Sequence, residues 1–162
     1  MTFDSRAFRQ ALGCFPTGVA VITAAPADGH PMGITVNSFT SVSLDPPLVL
    51  WCLDRKSDRY ATFTEARHHT ISLLGADHEH VSARLAKQGA HSLSGFDLIA
   101  TETGPPALAD ALAVFECERR AVQDGGDHAI LLERVLRFAK REAGAPLVFF
   151  QGRYGALAGS RD

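Results

Sequence analysis

The residues best suited to chemistry fall in three short stretches of the 162-residue chain. The first is "GITVNSFTSVSL", residues 33–44, which crowds Thr35, Asn37, Ser38, Thr40, Ser41 and Ser43 together just ahead of a dense apolar run. A strand that leaves a barrel and turns into an irregular loop exposes unpaired backbone N–H and C=O groups. A planar heterocycle with a donor–acceptor edge can satisfy those groups, and Thr, Asn and Ser add short polar partners with little bulk. A serine- and threonine-rich edge strand with a turn explains the same residues, and polarity alone favours that simpler reading. The second stretch is Gly125-Gly126-Asp127-His128. Asp-Gly and Gly-Asp are turn formers, so the run reads as a hairpin turn with an imidazole at its end. The third is Asp77-His78-Glu79-His80. On a helix, residues two apart point in different directions, and no further ligands stand at a recognised spacing, so no metal is expected. Cys14, Cys52 and Cys117 lack the context of a nucleophile and read as small core hydrophobes. His68 and His69 read as a solvated turn, and Trp51 as a core or interface residue.

The elements that must position these residues follow from periodicity and turn signals. "DSRAFRQALGCF" predicts a short helix, with Asp4 or Ser5 as N-cap and Phe8, Leu12 and Phe15 at helical spacing. "TGVAVITAA", the turn cluster "PADGHP" and "MGITVNSFTSV" predict a strand, a hairpin turn and a second strand. "PLVLWCL" predicts a strand covered on both faces. "SDRYATFTEA" predicts a helix capped by Ser57, "HTISLLG" a strand, and "DHEHVSARLAKQ" a helix capped by Asp77 with Val81 and Leu85 inward. Residues 88–110 are rich in Gly and Pro and read as a loop. Three strands close the chain: "ALAVFECERRAVQ", "HAILLERVLRFAK" and "PLVFFQGRYGA". About seven strands with three short helices predict a mainly β fold, an antiparallel barrel of Greek-key type with peripheral helices. The expected organisation is one domain over residues 1–162.

Composition narrows the classes. Hydrophobic residues make up 46% and charged residues 21%, with a net charge of −2. That balance argues against a nucleic-acid binder, which would show a basic face. The longest apolar run, Pro47 to Leu53, is too short to span a bilayer, and the first fifteen residues contain no apolar signal segment. Three well-separated cysteines with no CxxC fit a reducing cytoplasm. Neither GxGxxG nor GxxxxGK[ST] occurs, so a nucleotide-like cofactor would have to be held another way.

Four blocks carry a resemblance. "GITVNSFTSVSLDPPLVLWCL" resembles the signature of the short-chain flavin reductase family, whose members share a flavin-binding split barrel. "FRQALGCFPTGVAVIT" is similar to the family's opening, "FECERRAVQDGGDHAILLERV" to its late Gly-Asp-His segment, and "PLVFFQGRY" to its closing strand. The blocks occur in order over roughly residues 8–154. The resemblance implies an NAD(P)H:flavin oxidoreductase using FMN, with FAD as the alternative. It also implies NADH or NADPH as co-substrate, a homodimer, and a flavin-dependent monooxygenase as partner. It places Thr35, Val36, Asn37 and Ser38 along the flavin ring, with Cys52 and Leu53 at the end of the neighbouring strand. Ser57 matches a flavin-phosphate ligand, and a serine at a helix start suits an anion, though the same serine serves as an ordinary N-cap. Arg59 stands where the family more often has a small hydroxyl residue, and Arg84 matches a basic residue reaching the same phosphate. Gly126, Asp127 and His128 would form the nicotinamide side with Tyr154 as a second wall. His128 would be the catalytic residue, orienting nicotinamide or protonating reduced flavin. A flavin- or tetrapyrrole-binding module without catalysis is the alternative on the same barrel.

Overall fold

The computed structural model describes residues 3–27 and 29–157. Helix α1 spans Ser5–Leu12, and Asp4 caps it by accepting the Arg6 and Ala7 amides at Oδ1. Eleven of the twelve strands that follow run β1 Thr17–Gly18, β2 Ala20–Ala24, β3 Met32–Val36, β4 Thr40–Leu44, β5 Pro47–Asp54, β6 His68–Leu73, β7 Leu98–Ile99, β8 Ala107–Leu108, β9 Ala113–Gly125, β10 His128–Lys140 and β11 Val148–Phe150; the last is β12, Arg153–Gly155. Helix α2 covers Tyr60–Glu65 and α3 covers Glu79–Leu85, the latter entered through a 3-10 turn at Ala76–His78.

Seven strands form one antiparallel sheet in the order β3-β2-β6-β9-β10-β5-β4. Its backbone is the β9–β10 hairpin. Residues 128–134 of β10 pair with β5, while residues 113–118 of β9 pair with β6. Register shifts at Leu132/Glu133 and Val135/Arg137 bend the hairpin so that its two ends recruit different neighbours. The sheet's two edges, β3 and β4, are joined by only residues 37–39, so it has to curl until those edges come together. No ladder joins them, and the barrel is split at that seam.

Strand alternation sorts the side chains. Ala20, Ile22, Val49, Trp51, Leu53, Ile71, Cys117, Ala129 and Leu131 fill the barrel, with Phe63 of α2 plugging it. Val19, Val21, Leu74, Val81, Leu85, Leu93 and Leu147 form a second cluster outside, under α3. β2 is therefore buried on both faces. Each large side chain removed from water in this way contributes about 1.5–3 kcal/mol. In β5 only Val49, Trp51 and Leu53 are buried, while Leu48, Leu50 and Cys52 are half-exposed, so the strand is not covered on both faces as its composition predicts.

Several local expectations need correcting. "MGITVNSFTSV" is two strands, because residues 37–39 turn from one sheet edge to the other. "PLVFFQGRYGA" is a hairpin, turning at Gln151-Gly152 where both residues take positive φ. The loop at 88–110 contains the small β7–β8 ladder. Ser57 is not the cap of α2, whose N-cap is Arg59, and Asp77 lies inside the 3-10 turn rather than before it. Cys14 is exposed, Cys52 half-buried and only Cys117 is a core residue.

The largest departure is His69. It is no solvated turn but a fully buried residue of β6, facing Glu133 of β10, which is also fully buried. His69 Nε2 lies 2.9 Å from the Phe63 carbonyl, and Nδ1 lies 2.9 Å from Glu133 Oε1. Trp51 Nε1–H donates to that same carboxylate oxygen at 2.5 Å. The imidazole stacks on Phe63 and meets Trp51 edge-on. Removing one partner strands the others without water. Glu133→Ala should therefore cost about 3–5 kcal/mol in urea unfolding, and Glu133→Gln, which keeps an acceptor for Trp51, should cost less. A loss below about 1 kcal/mol for Glu133→Ala would mean that the cluster contributes no more than an ordinary hydrogen bond.

Candidate functional site

The seam between β3 and β4 is where backbone groups of the barrel lack ladder partners. Ser38 splices part of it: the Cys52 amide donates to Ser38 Oγ at 2.9 Å, and the hydroxyl donates back to the Cys52 carbonyl at 3.3 Å. Thr40 pairs with Leu50 in the β4–β5 ladder, so the Ser38 side chain stands in for the next ladder rung. Beside this splice a groove runs across the surface in three connected parts. A polar end of about 270 Å³ is lined by Thr35, Asp54, Lys56, Ser57, Arg59 and Gln88. A middle part of about 170 Å³ is lined by Thr35, Val36, Asn37, Ser82, Phe149 and Tyr154. An apolar end of similar volume, about 170 Å³, is lined by Val19, Phe39, Leu73, Leu112 and Leu147. Thr35 belongs to both the polar and middle parts, and Val19 to both the middle and apolar ones.

The middle walls are held by hydroxyls. Thr35 Oγ1 donates to the Ser82 carbonyl at 2.8 Å, and Ser82 Oγ shares a 2.8 Å hydrogen bond with Tyr154 Oη. One buried serine of α3 thus ties β3 to β12. Tyr154 also leans edge-on against Phe149. Val36 is buried and Asn37 is exposed at the mouth. Leu53 points into the barrel, because alternation along β5 places it beside Trp51 on the inner face, so only its backbone is available to the groove. Burial pushes the Cys52 thiol up, which keeps it a neutral group rather than a nucleophile.

At the polar end, the Ser57 hydroxyl accepts the Arg59 amide at 3.2 Å, which leaves its own proton free to donate. Arg59 does not offer a free charge. Its guanidinium is buried and donates to the carbonyls of Gly33, Leu85 and Lys87, satisfying the C-terminal end of α3. Arg84 is likewise occupied: it donates to the Ser92 and Ser94 carbonyls and lies 4.1 Å above the Phe96 ring, away from Ser57. The exposed cation beside Ser57 is Lys56, which sequence reasoning passed over although it precedes Ser57 directly. Ser82 was also passed over, since a serine inside "DHEHVSARL" carries no pattern that marks it as a brace.

The run 125–128 is the predicted hairpin. Gly125 pairs with His128, and Gly126 at φ +81° with Asp127 forms a two-residue turn of the II′ kind. His128 Nδ1 lies 2.8 Å from Asp127 Oδ1. A carboxylate can only accept, so Nδ1 carries the hydrogen and Nε2 is the nitrogen left for another partner. That bond, with a smaller pull from Lys56, holds the Asp127 carboxyl below its usual range. His128 stands opposite Asp54 in the β5–β10 ladder, which sets the turn beside the polar end of the groove. Tyr154 is placed elsewhere, on the wall of the middle part with Thr35 and Asn37, while His128 lines none of the three parts. His78 and His80 diverge: His78 Nδ1 accepts the Gly75 amide, while His80 meets the Phe96 ring.

The chain can now be set beside known proteins. The model of the flavin reductase like domain matches residues 12–158. The chain is 48% identical to the FMN reductase (NADH) SmoA of Agrobacterium fabrum, over 96% of this chain and 87% of that protein. It is 34% identical to the flavin-dependent monooxygenase reductase subunit HsaB of Rhodococcus jostii, covering 95% of this chain and 78% of that one. Among solved structures, the NADH:FAD oxidoreductase SgcE6 of Streptomyces globisporus, in complex with NAD and FAD fragments, superposes with a TM-score of 0.92 at 34% identity, covering 100% of this chain and 99% of that one. With the family model spanning nearly the whole length and a split antiparallel barrel beneath it, this chain belongs to the flavin reductase like domain family.

Proposed function

We propose that this protein is an NAD(P)H:flavin oxidoreductase that reduces FMN, or alternatively FAD, with NADH or NADPH, and passes reduced flavin to a partner flavin-dependent monooxygenase. The observation that carries the reading is the graded groove at the barrel seam, polar at Lys56 and Ser57, hydrogen-bonding at residues 35–37 and apolar at Phe39 and Leu147. That gradient fits a flavin mononucleotide: phosphate, heteroaromatic edge, dimethylbenzene ring. Ser57 and Lys56 would hold the phosphate, backbone of Thr35, Val36 and Asn37 the ring edge, and Tyr154 would wall the ring. Bound flavin supplies the hydride acceptor. The protein's part is to stack and orient the two rings and exclude water, and His128, its Nδ1 held by Asp127, orients nicotinamide or supplies a proton. Relatives described as an NADH-dependent FMN reductase and a monooxygenase reductase subunit support the cofactor, co-substrate and partner.

Mixed anaerobically with FMN, the protein should bleach the visible flavin band on addition of NADH or NADPH. Flavin binding with no acceleration by either nicotinamide would favour a binding module instead. Ser57→Ala should weaken FMN binding roughly ten- to a hundredfold, about 1.5–3 kcal/mol, through loss of a hydrogen bond to an ionised phosphate. Riboflavin, which lacks the phosphate, should be far less affected. An unchanged ratio of FMN to riboflavin affinity removes Ser57 from the phosphate site.

The proposal includes a homodimer working in the cytoplasm, a single domain over residues 1–162. No residue of α1 is buried, and Phe8, Leu12 and Phe15 lie 49%, 58% and 74% exposed. Roomy hollows of about 580 and 600 Å³ flank α1 and the β11–β12 hairpin, where Phe150 is also exposed. A second copy would cover this apolar surface. Light scattering should give twice the chain mass across a wide concentration range; a monomer throughout would contradict it.

A further inference from the structure

The His128 turn is gripped by a residue outside the turn. Arg55 follows β5 directly, one position past the last rung of the β5–β10 ladder, which pairs Asp54 with His128. Its amide donates to the Asp127 carbonyl at 3.0 Å, extending that ladder by a bond. Its Nε donates to the Gly126 carbonyl at 2.9 Å, and one terminal nitrogen reaches Asp124 Oδ1 at 2.6 Å. The other terminal nitrogen donates to Tyr60 Oη at 3.1 Å, and the guanidinium sits over the Tyr60 ring. One planar fork therefore connects the last residues of β9, the turn and the first residue of α2. Lysine, a single point charge, cannot span these three acceptors.

We infer that Arg55 is a positioning residue for hydride transfer: it fixes the height and angle at which the turn presents His128, and so the pose of the nicotinamide. The inference rests on the reading of His128 as the nicotinamide-side residue. A merely structural role is the weaker explanation. The hairpin is already secured along both strands, by β5 on one side and β6 on the other. An ion pair as exposed as Arg55–Asp124, at 42% and 82%, adds little to global stability. What Arg55 controls is the tip, where Gly126 and Asp127 have carbonyls to satisfy and where a displacement of about 1 Å can cost up to a hundredfold in rate.

The test is anaerobic stopped-flow reduction of the FMN-loaded protein by NADH, on wild type, Arg55→Met, Arg55→Lys, His128→Ala and the Arg55→Met/His128→Ala double variant. FMN affinity and thermal midpoint are measured alongside. Arg55→Met should lower the hydride-transfer constant per NADH concentration about tenfold, with FMN affinity unchanged and the thermal midpoint little moved. Arg55→Lys should fail to restore it. In the His128→Ala background the Arg55→Met change should have no further effect, because it acts through His128. Equal losses in both backgrounds, or full activity of Arg55→Lys, would overturn the positioning role. Wild-type rates in Arg55→Met beside an impaired His128→Ala would remove Arg55 alone. Wild-type rates in His128→Ala would remove the nicotinamide-side reading, and the inference with it.

Discussion

The structure turns on a short connection between two edges. β3 and β4 end a seven-stranded sheet at opposite sides, yet only residues 37–39 link them. Three residues span at most about 11 Å, so the sheet has to close on itself at that point. The chain passes from one edge to the other there without pairing them in a ladder. The result is a barrel with a seam, and unpaired backbone at a seam needs polar partners. Ser38 supplies one such partner by taking over a rung opposite Cys52. Of the small polar side chains in residues 35–43, Thr35 and Ser38 hydrogen-bond backbone groups of α3 and β5.

The rest of the molecule keeps that seam in a fixed shape. From the inside, the buried cluster of His69, Glu133 and Trp51 joins β6, β10 and β5 by polar contacts in a largely apolar barrel. From the outside, α3 bears on the groove from two directions. Its Ser82 holds Thr35 through the carbonyl and Tyr154 through the hydroxyl, and its last carbonyls are fastened to the loop before α2 by Arg59. Arg59, buried among those carbonyls, acts as a brace, and its charge is compensated locally by Asp58 at 3.4 Å.

The sequence was legible wherever a pattern had a short range. The helix capped by Asp4, the inward-facing Val81 and Leu85, and the Gly126-Asp127 turn all appear where residue order places them, because each is decided by neighbours within a few positions. Strand boundaries failed at residues 37–39 and 151–152. There the turns are short, Asn-Ser-Phe and Gln-Gly, and β-branched or aromatic residues flank them, so the strand pattern runs on across each turn. His69 was misread for the same reason: its partners lie 64 residues away on β10 and six residues back in α2. The site split along similar lines. Thr35, Val36, Asn37, Ser57 and Arg59 line the groove, while the guanidinium groups of Arg59 and Arg84 are taken up by backbone carbonyls. A cation's availability depends on who else can reach it, and no local motif records that.

The central claim is that flavin lies along the seam, phosphate toward Ser57 and ring edge against residues 35–37. A crystal structure of the protein with FMN tests it most directly. The predicted result is a phosphate within hydrogen-bonding distance of Ser57 Oγ and beside Lys56, with the pyrimidine edge of the ring meeting backbone of Thr35–Asn37 and Tyr154 beside the ring. A flavin seated in the hollow beside α1, with the seam groove empty, would contradict it.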